Sequence, residues 1–255
     1  MEKKHSTSFA WFISKCNQLY TNIQLTDVAI CKVTKILEDE KQKDSTQLIC
    51  DALGCNRDQY TKLKSPIAEY SEFVSKVRSD QAEFAIRQLY GYFANYLQNI
   101  LSELYPYKPY LISQLNDDNA SKQHLTYKEI IELQNYDNIT KEIINRIFRA
   151  MENKRDTAGL IDKIIKSFKI NVSDEIIKKA LCYFELRHLL VHHKGLADGD
   201  YVAKFKDYYK KQVIQPNKRI RTTYEVYRNA QSAIHKLCET IDSELYRIIT
   251  IAQQE

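Results

Sequence analysis

Glycine and proline are scarce in this chain, which has five glycines and four prolines among its 255 residues. Few turns can therefore depend on the special backbone geometry of these two residues. Lysine, glutamate, isoleucine and leucine are plentiful, and apolar residues recur every three to four positions. This spacing is typical of helices that bury one face. The sequence therefore predicts an all-α protein.

Long apolar runs are also missing. The run at residues 9–13 is too short to span a membrane, and no later segment approaches the roughly 18 apolar residues that a span needs. No small-residue cleavage site follows the first run, so we expect no signal peptide. We expect a soluble protein of the cytoplasm. Its formal net charge of +5 permits an anionic partner without requiring one.

The six cysteines form no Cys-x-x-Cys pair. Cys50 and Cys55 have no histidine nearby, so the sequence lacks a zinc-ligand pattern. A disulfide framework is typical of much shorter secreted chains. We therefore expect reduced thiols, no metal ion and no other cofactor.

Apolar periodicity is strongest at residues 82–105, which we predict to be a central core helix ended by Pro106. Residues 78–81 are expected to break or re-cap this helix. Within the run Leu89–Phe93, Gly91 is expected to allow another helix to approach closely. A last helix is predicted over residues 223–249.

The N-terminal part is predicted to form two or three short helices over residues 7–56, with a charged turn at 38–44. Residues 113–126 are polar and are expected to form a surface loop. Ser173 is a predicted cap for the helix that follows it. We expect two regions, an N-terminal helical extension at residues 1–60 and a helical domain at 66–250.

The residues that indicate a function lie at 185–195, which read Glu-Leu-Arg-His-Leu-Leu-Val-His-His-Lys-Gly. Arg187 is a permanent cation, and a guanidinium can bind phosphate through two parallel hydrogen bonds. His188 and His192 can exchange protons near neutral pH. A phosphate clamp beside a general acid or base is sufficient to cut RNA without a metal ion.

This segment resembles the Arg-x4-His signature of the HEPN superfamily. It has Arg187, a polar residue, three apolar residues and His192, followed by His193, Lys194 and Gly195. The likeness is to the RiboL-PSP and abortive-infection-like domains of this superfamily. It covers about residues 66–250 and implies a HEPN-type helical bundle, here with additional N-terminal helices. His193 departs mildly from the family pattern, in which asparagine is common at this position.

The resemblance also implies a function. Many HEPN proteins are metal-independent endoribonucleases of toxin–antitoxin, abortive-infection and other anti-phage defence systems. They act as homodimers in which the two motifs share a cleft. By this resemblance Arg187 and His192 would be the catalytic pair, and His188 would orient the site or assist proton transfer. The expected partners are RNA, such as tRNA or mRNA, and an antitoxin or defence-system protein.

Helix geometry agrees with this pairing only in part. On a regular helix, Arg187 and His192 lie about 140° apart and do not share one face. Glu185, His188 and His192 do share a face, because they are spaced by three or four residues. A second copy of the chain, or fraying of the helix before Gly195, would help to bring the arginine and the histidine together.

A basic and aromatic stretch follows the motif at residues 204–221. We expect it to grip an RNA backbone, with Tyr208 or Tyr209 stacking on bases, although a solvated loop is the simpler alternative. The expected substrate-binding residues are His193, Lys194, Lys204, Lys206, Tyr208, Tyr209, Lys210 and Lys211.

Other interpretations remain open for the motif and for the whole chain. His188 lies near an apolar stripe and can be a core or interface histidine, and Arg187 can form a structural salt bridge with Glu185 or with an acid near the C-terminus. The second functional hypothesis is a non-catalytic HEPN module that dimerises or binds a partner protein or a nucleotide. The third is a helical adaptor whose function lies in residues 1–60.

Overall fold

The computed structural model describes residues 5–110, 125–153, 157–209 and 212–252. In these residues the chain forms nine α-helices and no strand, which confirms the predicted all-α fold. The helices are α1 (Thr7–Lys43), α2 (Ile49–Ala52), α3 (Tyr70–Leu104), α4 (Tyr127–Leu133), α5 (Tyr136–Asn153), α6 (Thr157–Phe168), α7 (Asp174–His192), α8 (Gly199–Phe205) and α9 (Tyr224–Ala252). Single 3-10 turns lie at Thr61–Leu63, Ile67–Glu69 and Lys206–Tyr208. No helix in these ranges has both the length and the apolar content needed to cross a membrane.

The central helix is α3, which packs against α1, α5, α7 and α9. The predicted stripe is fully buried, which confirms the core assignment of the helix predicted at residues 82–105. Its members are Ala85, Leu89, Phe93, Leu97, Ile100 and Leu104. Two details of the prediction were wrong. The helix begins at Tyr70 and runs unbroken through residues 78–81. A Cβ added to Gly91 would meet no atom within 4 Å, so no helix approaches closely there.

Residues 7–56 form one long helix, α1, and the short α2, where two or three short helices were predicted. α1 has 37 residues, which corresponds to about 55 Å at 1.5 Å per residue. It contains no glycine or proline, so nothing in its backbone favours an interruption. The charged stretch expected to form a turn continues the helix to Lys43, and Lys41 and Lys43 suit the negative end of the helix dipole.

Two separate apolar clusters hold α1 in place. Its first five turns contribute buried residues to the main core: Phe9, Phe12, Cys16, Leu19 and Ile23. A second, smaller cluster contains Leu37, Ile49, Ile67 and Tyr70. Between the clusters, residues 24–36 of α1 and 71–81 of α3 contain no buried side chain. The predicted division between residues 1–60 and 66–250 stays a prediction.

The start of α1 is tied to α9 through Asp242, a fully buried acid. Its carboxylate accepts hydrogen bonds from the backbone N–H of Ser6 at 3.2 Å and from the Ser6 hydroxyl. The Tyr96 hydroxyl donates to the same carboxylate at 3.4 Å. The ring Nδ1 of His5 also lies 3.2 Å from this carboxylate. Because several polar groups converge on one buried carboxyl, this network offsets the cost of its desolvation.

The start of α7 confirms the predicted cap. The Ser173 hydroxyl accepts a hydrogen bond from the backbone N–H of Ile176, and Asp174 and Glu175 occupy the first turn. At the other end, the backbone N–H groups of His193 and Gly195 both donate to the carbonyl of Leu189 at 2.9 Å. The chain turns there because residue 194 has φ 54° and residue 195 has φ 76°. The predicted loop at 113–126 lies almost wholly outside the described residues.

Candidate active site at the C-terminal end of α7

The motif helix α7 crosses the central helix α3 in antiparallel register. Arg87 donates to the carbonyl of Leu190 at 3.2 Å. One turn further along α3, the Tyr90 ring lies under the Arg187 guanidinium, with 4.4 Å between the guanidinium carbon and the ring centroid. Another turn on, the phenyl rings of residues 93 and 184 pack against each other, with 4.5 Å between their centroids. Arg87 and Arg187 therefore lie about one helical turn apart on the same interface.

Arg187 is half-buried on the side of α7 that faces α3. Its Nε atom is buried and makes no hydrogen bond within the described part of the chain. The stacking on Tyr90 is a cation–π contact, which orients the guanidinium. The N–H groups in the plane of a guanidinium are the part of an arginine that binds phosphate.

Arg87 and Arg219 share one buried carboxylate beside Arg187. The Glu83 side chain is 7 % exposed and accepts from Arg219 at 2.7 Å. The Arg87 guanidinium lies 3.6 Å from the other oxygen of the same carboxylate. The hydrogen bond that Arg219 donates to Glu83 is the main cause that raises the pKa of Arg219. Three arginines face the paired Glu83 and the nearby Asp80, which leaves the α3 side of the motif with a small positive excess.

Arg87 was missed in the sequence, and Arg219 was included only as a member of the basic stretch at residues 204–221. Arg87 lies on a helix that was interpreted only as core. Arg219 belongs to the basic stretch after the motif, and this was the feature of the sequence that could have indicated its place in the site. Its Cγ lies 3.4 Å from the position of a Cβ added to Gly195, so the end of the basic stretch folds back on the end of the motif.

Three histidine rings cluster at the end of α7. The ring centroid of His188 lies 4.8 Å from that of His192 and 5.4 Å from that of His193. His188 is half-buried, whereas His192 and His193 are exposed. The Arg187 guanidinium lies over the Tyr90 ring of α3, whereas the His192 ring lies beside the His188 ring at an interplanar angle of 42°. The predicted catalytic arginine and histidine thus have different neighbours within one chain, as the helical angle between them indicated.

A cavity of about 700 Å³ lies beside the histidines, between α6, α7 and α8. Three of the predicted site residues line this cavity: His188, His193 and Lys204. A catalytic or substrate-binding residue must be accessible in this way. The other lining residues are Ala158, Lys178, Leu181, Glu185, Leu189, Asp198, Asp200, Tyr201 and Phe205. The cavity is mixed in character, with apolar and charged walls.

The remaining predicted binding residues have different surroundings. Lys194 and Lys206 are exposed, and Tyr208 is half-buried. Tyr209 requires a correction, because it is only 8 % exposed and its hydroxyl lies 2.5 Å from that of Tyr201. A ring packed in the core cannot stack on a base. Lys210 and Lys211 lie outside the described residues.

Within the described residues, no group of three or more histidines, cysteines, aspartates or glutamates is placed to hold a metal ion. Comparison of the chain with known family models, with curated proteins and with solved structures gave no match. The HEPN resemblance therefore depends on the motif residues and on their placement at the end of a helix.

Proposed function

We propose that the protein is a metal-independent endoribonuclease of the HEPN type. The observation that carries the proposal is the cluster at the end of α7, where the His188 ring centroid lies 4.8 Å from that of His192 and 5.4 Å from that of His193, on and just after the helix that also presents Arg187. Imidazoles supply general acid and base groups near neutral pH, and an arginine supplies a fixed positive charge. RNA cleavage by its own 2′-hydroxyl needs these two kinds of group.

The reaction begins with attack of the RNA 2′-oxygen on the adjacent phosphorus. His192 accepts the 2′-hydroxyl proton, and the bond from phosphorus to the 5′-oxygen breaks. A second imidazole, from His188 or from the partner chain, donates a proton to the leaving 5′-oxygen. Arg187 stabilises the charge that develops on the phosphoryl oxygens. The products are a 2′,3′-cyclic phosphate and a 5′-hydroxyl.

A homodimer completes the proposed site. In one chain Arg187 is directed to Tyr90 and His192 to His188, so the two are not presented to a single phosphate. A two-fold axis near the end of α7 would place the exposed His192 of one chain close to the arginine of the other. This arrangement follows the shared cleft that the family resemblance implies.

Arg87 and Arg219 would contact phosphates next to the scissile one. They lie on the same side of the motif as Arg187, and their side chains keep 45 % and 57 % of their exposure. Contacts to the RNA backbone position the substrate without reading its sequence. The exposed Lys194 adds a further cation at the turn after α7.

The biological role that we propose is that of a toxin or an anti-phage defence effector. It depends on the family resemblance and on the expected cost of an unrestrained ribonuclease to its own cell. An antitoxin or another protein of the same defence system would then restrain the enzyme.

The test is incubation of the purified full-length protein with labelled tRNA and total RNA in EDTA. Wild type is expected to release fragments with cyclic phosphate ends, and Arg187→Ala and His192→Ala are expected to release none. Arg228→Ala is the matched control, because Arg228 is exposed on α9, outside the candidate site. RNA that stays intact with wild type under all activating conditions would refute the enzyme.

A recognition module is the second candidate. The cavity of about 700 Å³ favours it, because ligand sites usually occupy about 300–1,000 Å³ and need no catalysis. In this case the protein would bind RNA, a nucleotide or a partner protein, and Arg187→Ala would weaken binding while wild type leaves RNA uncut.

A further inference from the structure

Two of the six cysteines lie at the two ends of one hydrogen-bonded turn. Helix α2 ends at Ala52, and Gly54 follows it with φ 63°. The backbone N–H of Gly54 donates to the carbonyl of Asp51 at 3.0 Å. The backbone N–H of Cys55 donates to the carbonyl of Cys50 at 2.7 Å. These two bonds define a Schellman motif, in which the side chains at the positions of Cys50 and Cys55 commonly meet.

The hydrogen bond from Cys55 limits the distance between the two α-carbons. An α-carbon lies about 2.4 Å from its own carbonyl oxygen and about 1.5 Å from its own nitrogen. Because 2.7 Å separates the Cys55 nitrogen from the Cys50 oxygen, the two α-carbons are at most about 6.6 Å apart. Bridged cysteines have α-carbons about 4.4–6.8 Å apart. The backbone of this turn therefore has the spacing that a disulfide needs.

Both thiols are free in the structure, and their printed contacts are weak. The Cys50 sulfur lies 3.6 Å from a carboxylate oxygen of Asp51, and the Cys55 sulfur lies 3.8 Å from the carbonyl oxygen of Leu53. A thiol is a weak donor, so rotation about the Cα–Cβ bonds can turn the two sulfurs towards each other. Cys50 is fully buried and Cys55 is half-buried, so a reagent in solution meets Cys55 first.

Contacts that do not involve sulfur hold this turn. The Arg57 guanidinium donates to both carboxylate oxygens of Asp51, at 2.6 and 2.5 Å, so this carboxylate does not depend on the Cys50 thiol. The backbone N–H of Ile49 donates to the carbonyl of Ser65 at 3.0 Å, which ties the start of α2 to the segment before α3. The turn can therefore keep its shape while the two thiols change partners.

We propose that Cys50 and Cys55 are a redox modification site, a dithiol that forms a disulfide by exchange with a low-molecular-weight disulfide such as oxidised glutathione. The Cys55 thiolate attacks one sulfur of that disulfide, which gives a mixed disulfide and releases one small thiolate. The Cys50 sulfur then attacks the Cys55 sulfur and releases the second small thiolate. The protons of the two protein thiols pass to these leaving groups, so two protein thiols are oxidised while the small disulfide is reduced to two thiols.

The disulfide would stabilise the smaller of the two apolar clusters. Helix α2 contributes Ile49, the neighbour of Cys50, to the cluster that contains Leu37 and Tyr70. A bridge restricts the unfolded form of the loop that it closes. Local opening of this cluster should therefore be rarer in the oxidised protein. None of these residues belongs to the candidate active site, so the inference does not depend on the nuclease proposed above.

Mass spectrometry of one peptide tests the proposal. Trypsin cuts after Lys43 and Arg57 and nowhere between them, so residues 44–57 form one peptide that contains both cysteines. Full-length protein is incubated with oxidised glutathione, its free thiols are blocked with N-ethylmaleimide in urea, and it is digested without reductant. The peptide should carry no label and should be about 2 Da lighter than its reduced form. Maleimide on both cysteines, or glutathione on one of them, would overturn the proposal.

Single variants test the order of the two steps. Cys50→Ser leaves Cys55 without a resolving thiol, so its peptide should retain one glutathione. Cys55→Ser removes the accessible thiol, so Cys50 should stay reduced and take up maleimide only after unfolding. Cys31→Ser is the matched control, because Cys31 is an exposed cysteine of α1 outside this turn, and the disulfide should still form. If Cys50 takes up glutathione in Cys55→Ser as fast as Cys55 does in Cys50→Ser, the assigned order is wrong.

Cysteines this close in sequence can also be bridged in an unfolded chain, so the folded turn needs its own test. The ratio of bridged to reduced peptide is measured at equilibrium, at one fixed ratio of oxidised to reduced glutathione, in buffer and in urea. It should be at least about ten-fold higher in the folded protein, because the turn already holds the α-carbons at bridging distance. An equal or lower ratio in the folded protein would show that the turn does not favour the bridge and would overturn the site.

Discussion

The Arg187 guanidinium carbon lies 4.4 Å from the centroid of the Tyr90 ring, so the central helix α3 orients the arginine of the candidate site. The buried Nε of this arginine has no hydrogen bond within the described residues. The Tyr90 ring therefore fixes the direction of the Arg187 side chain, and no acidic residue bonded to the Nε does so. Its function and its packing are linked through a residue outside the motif.

This link predicts a measurable coupling between the two residues. Arg187→Ala, Tyr90→Leu and the double variant, compared by urea unfolding, should give a coupling free energy of about 0.5–2 kcal/mol, the range for a cation–π contact. Tyr90→Phe keeps the ring and should retain most of the coupling. Strictly additive losses would show that the stacking contributes nothing to stability.

Arg219 predicts a change in the salt dependence of RNA binding. Arg219→Ala should lower affinity for uncleavable 2′-O-methyl RNA and reduce the slope of log affinity against log salt by about 1, because one phosphate contact is lost. Anisotropy titrations over a range of salt concentrations measure the slope. Arg228→Ala, an exposed arginine of α9, should leave it unchanged. An unchanged slope for Arg219→Ala would place the RNA elsewhere.

Gly195 should be far less tolerant of alanine than Gly199. At Gly195, φ is 76° and an added Cβ would lie 3.3 Å from Cδ2 of Leu190. Gly195→Ala should therefore reduce the free energy of unfolding by about 1–3 kcal/mol. At Gly199 an added Cβ meets no atom within 4 Å, and its substitution should be neutral or slightly stabilising at the start of α8. Equal effects in thermal unfolding would contradict this account.

Stability should fall at alkaline pH because of a buried cluster of Cys182, Tyr201 and Tyr209. Burial raises the pKa of the Cys182 thiol from 9.0 to about 12 and raises the pKa of both tyrosines. The unfolded chain releases these protons first as pH rises, so the folded state is favoured less. The contribution of Cys182 to stability is fully present below its unfolded-state pKa of 9.0. It is lost progressively as the pH rises towards its folded-state pKa of about 12.

Thermal unfolding between about pH 7 and pH 10.5 tests this titration, since the melting temperature should be steady at first and then fall. Tyr209→Phe removes one of the three groups, so its melting temperature should depend less steeply on alkaline pH than that of wild type. A melting temperature that stays constant to the highest pH would show that these groups do not titrate on unfolding.

Residues whose environment depends on local pattern were predictable from the sequence. The stripe of α3 and the Ser173 cap depend on spacing within one helix, and the structure confirms both. The length of α1 was predictable in principle, because no glycine or proline interrupts it, but its charged C-terminal part was interpreted as a turn. Charge alone does not end a helix whose last turn carries lysines.

Residues whose environment depends on contacts between distant segments were not predictable. Arg187 meets Tyr90 only because α3 and α7 cross in one antiparallel register, and Arg219 meets Glu83 across 136 positions of the chain. Tyr209 was placed at the surface because lysines surround it in sequence, whereas its hydroxyl reaches Tyr201 in the core. No periodicity within one segment contains this information.

The long α1 and α3 connect two apolar clusters through a stretch in which neither helix buries a side chain. The outer cluster around Leu37 and Tyr70 can therefore open while the main core stays closed, because separate clusters need not lose structure together. Amide hydrogen exchange should divide each helix into a slow half and a fast half, with the change near residue 24 in α1 and near residue 81 in α3. Uniform protection along either helix would mean that the two clusters unfold as one unit.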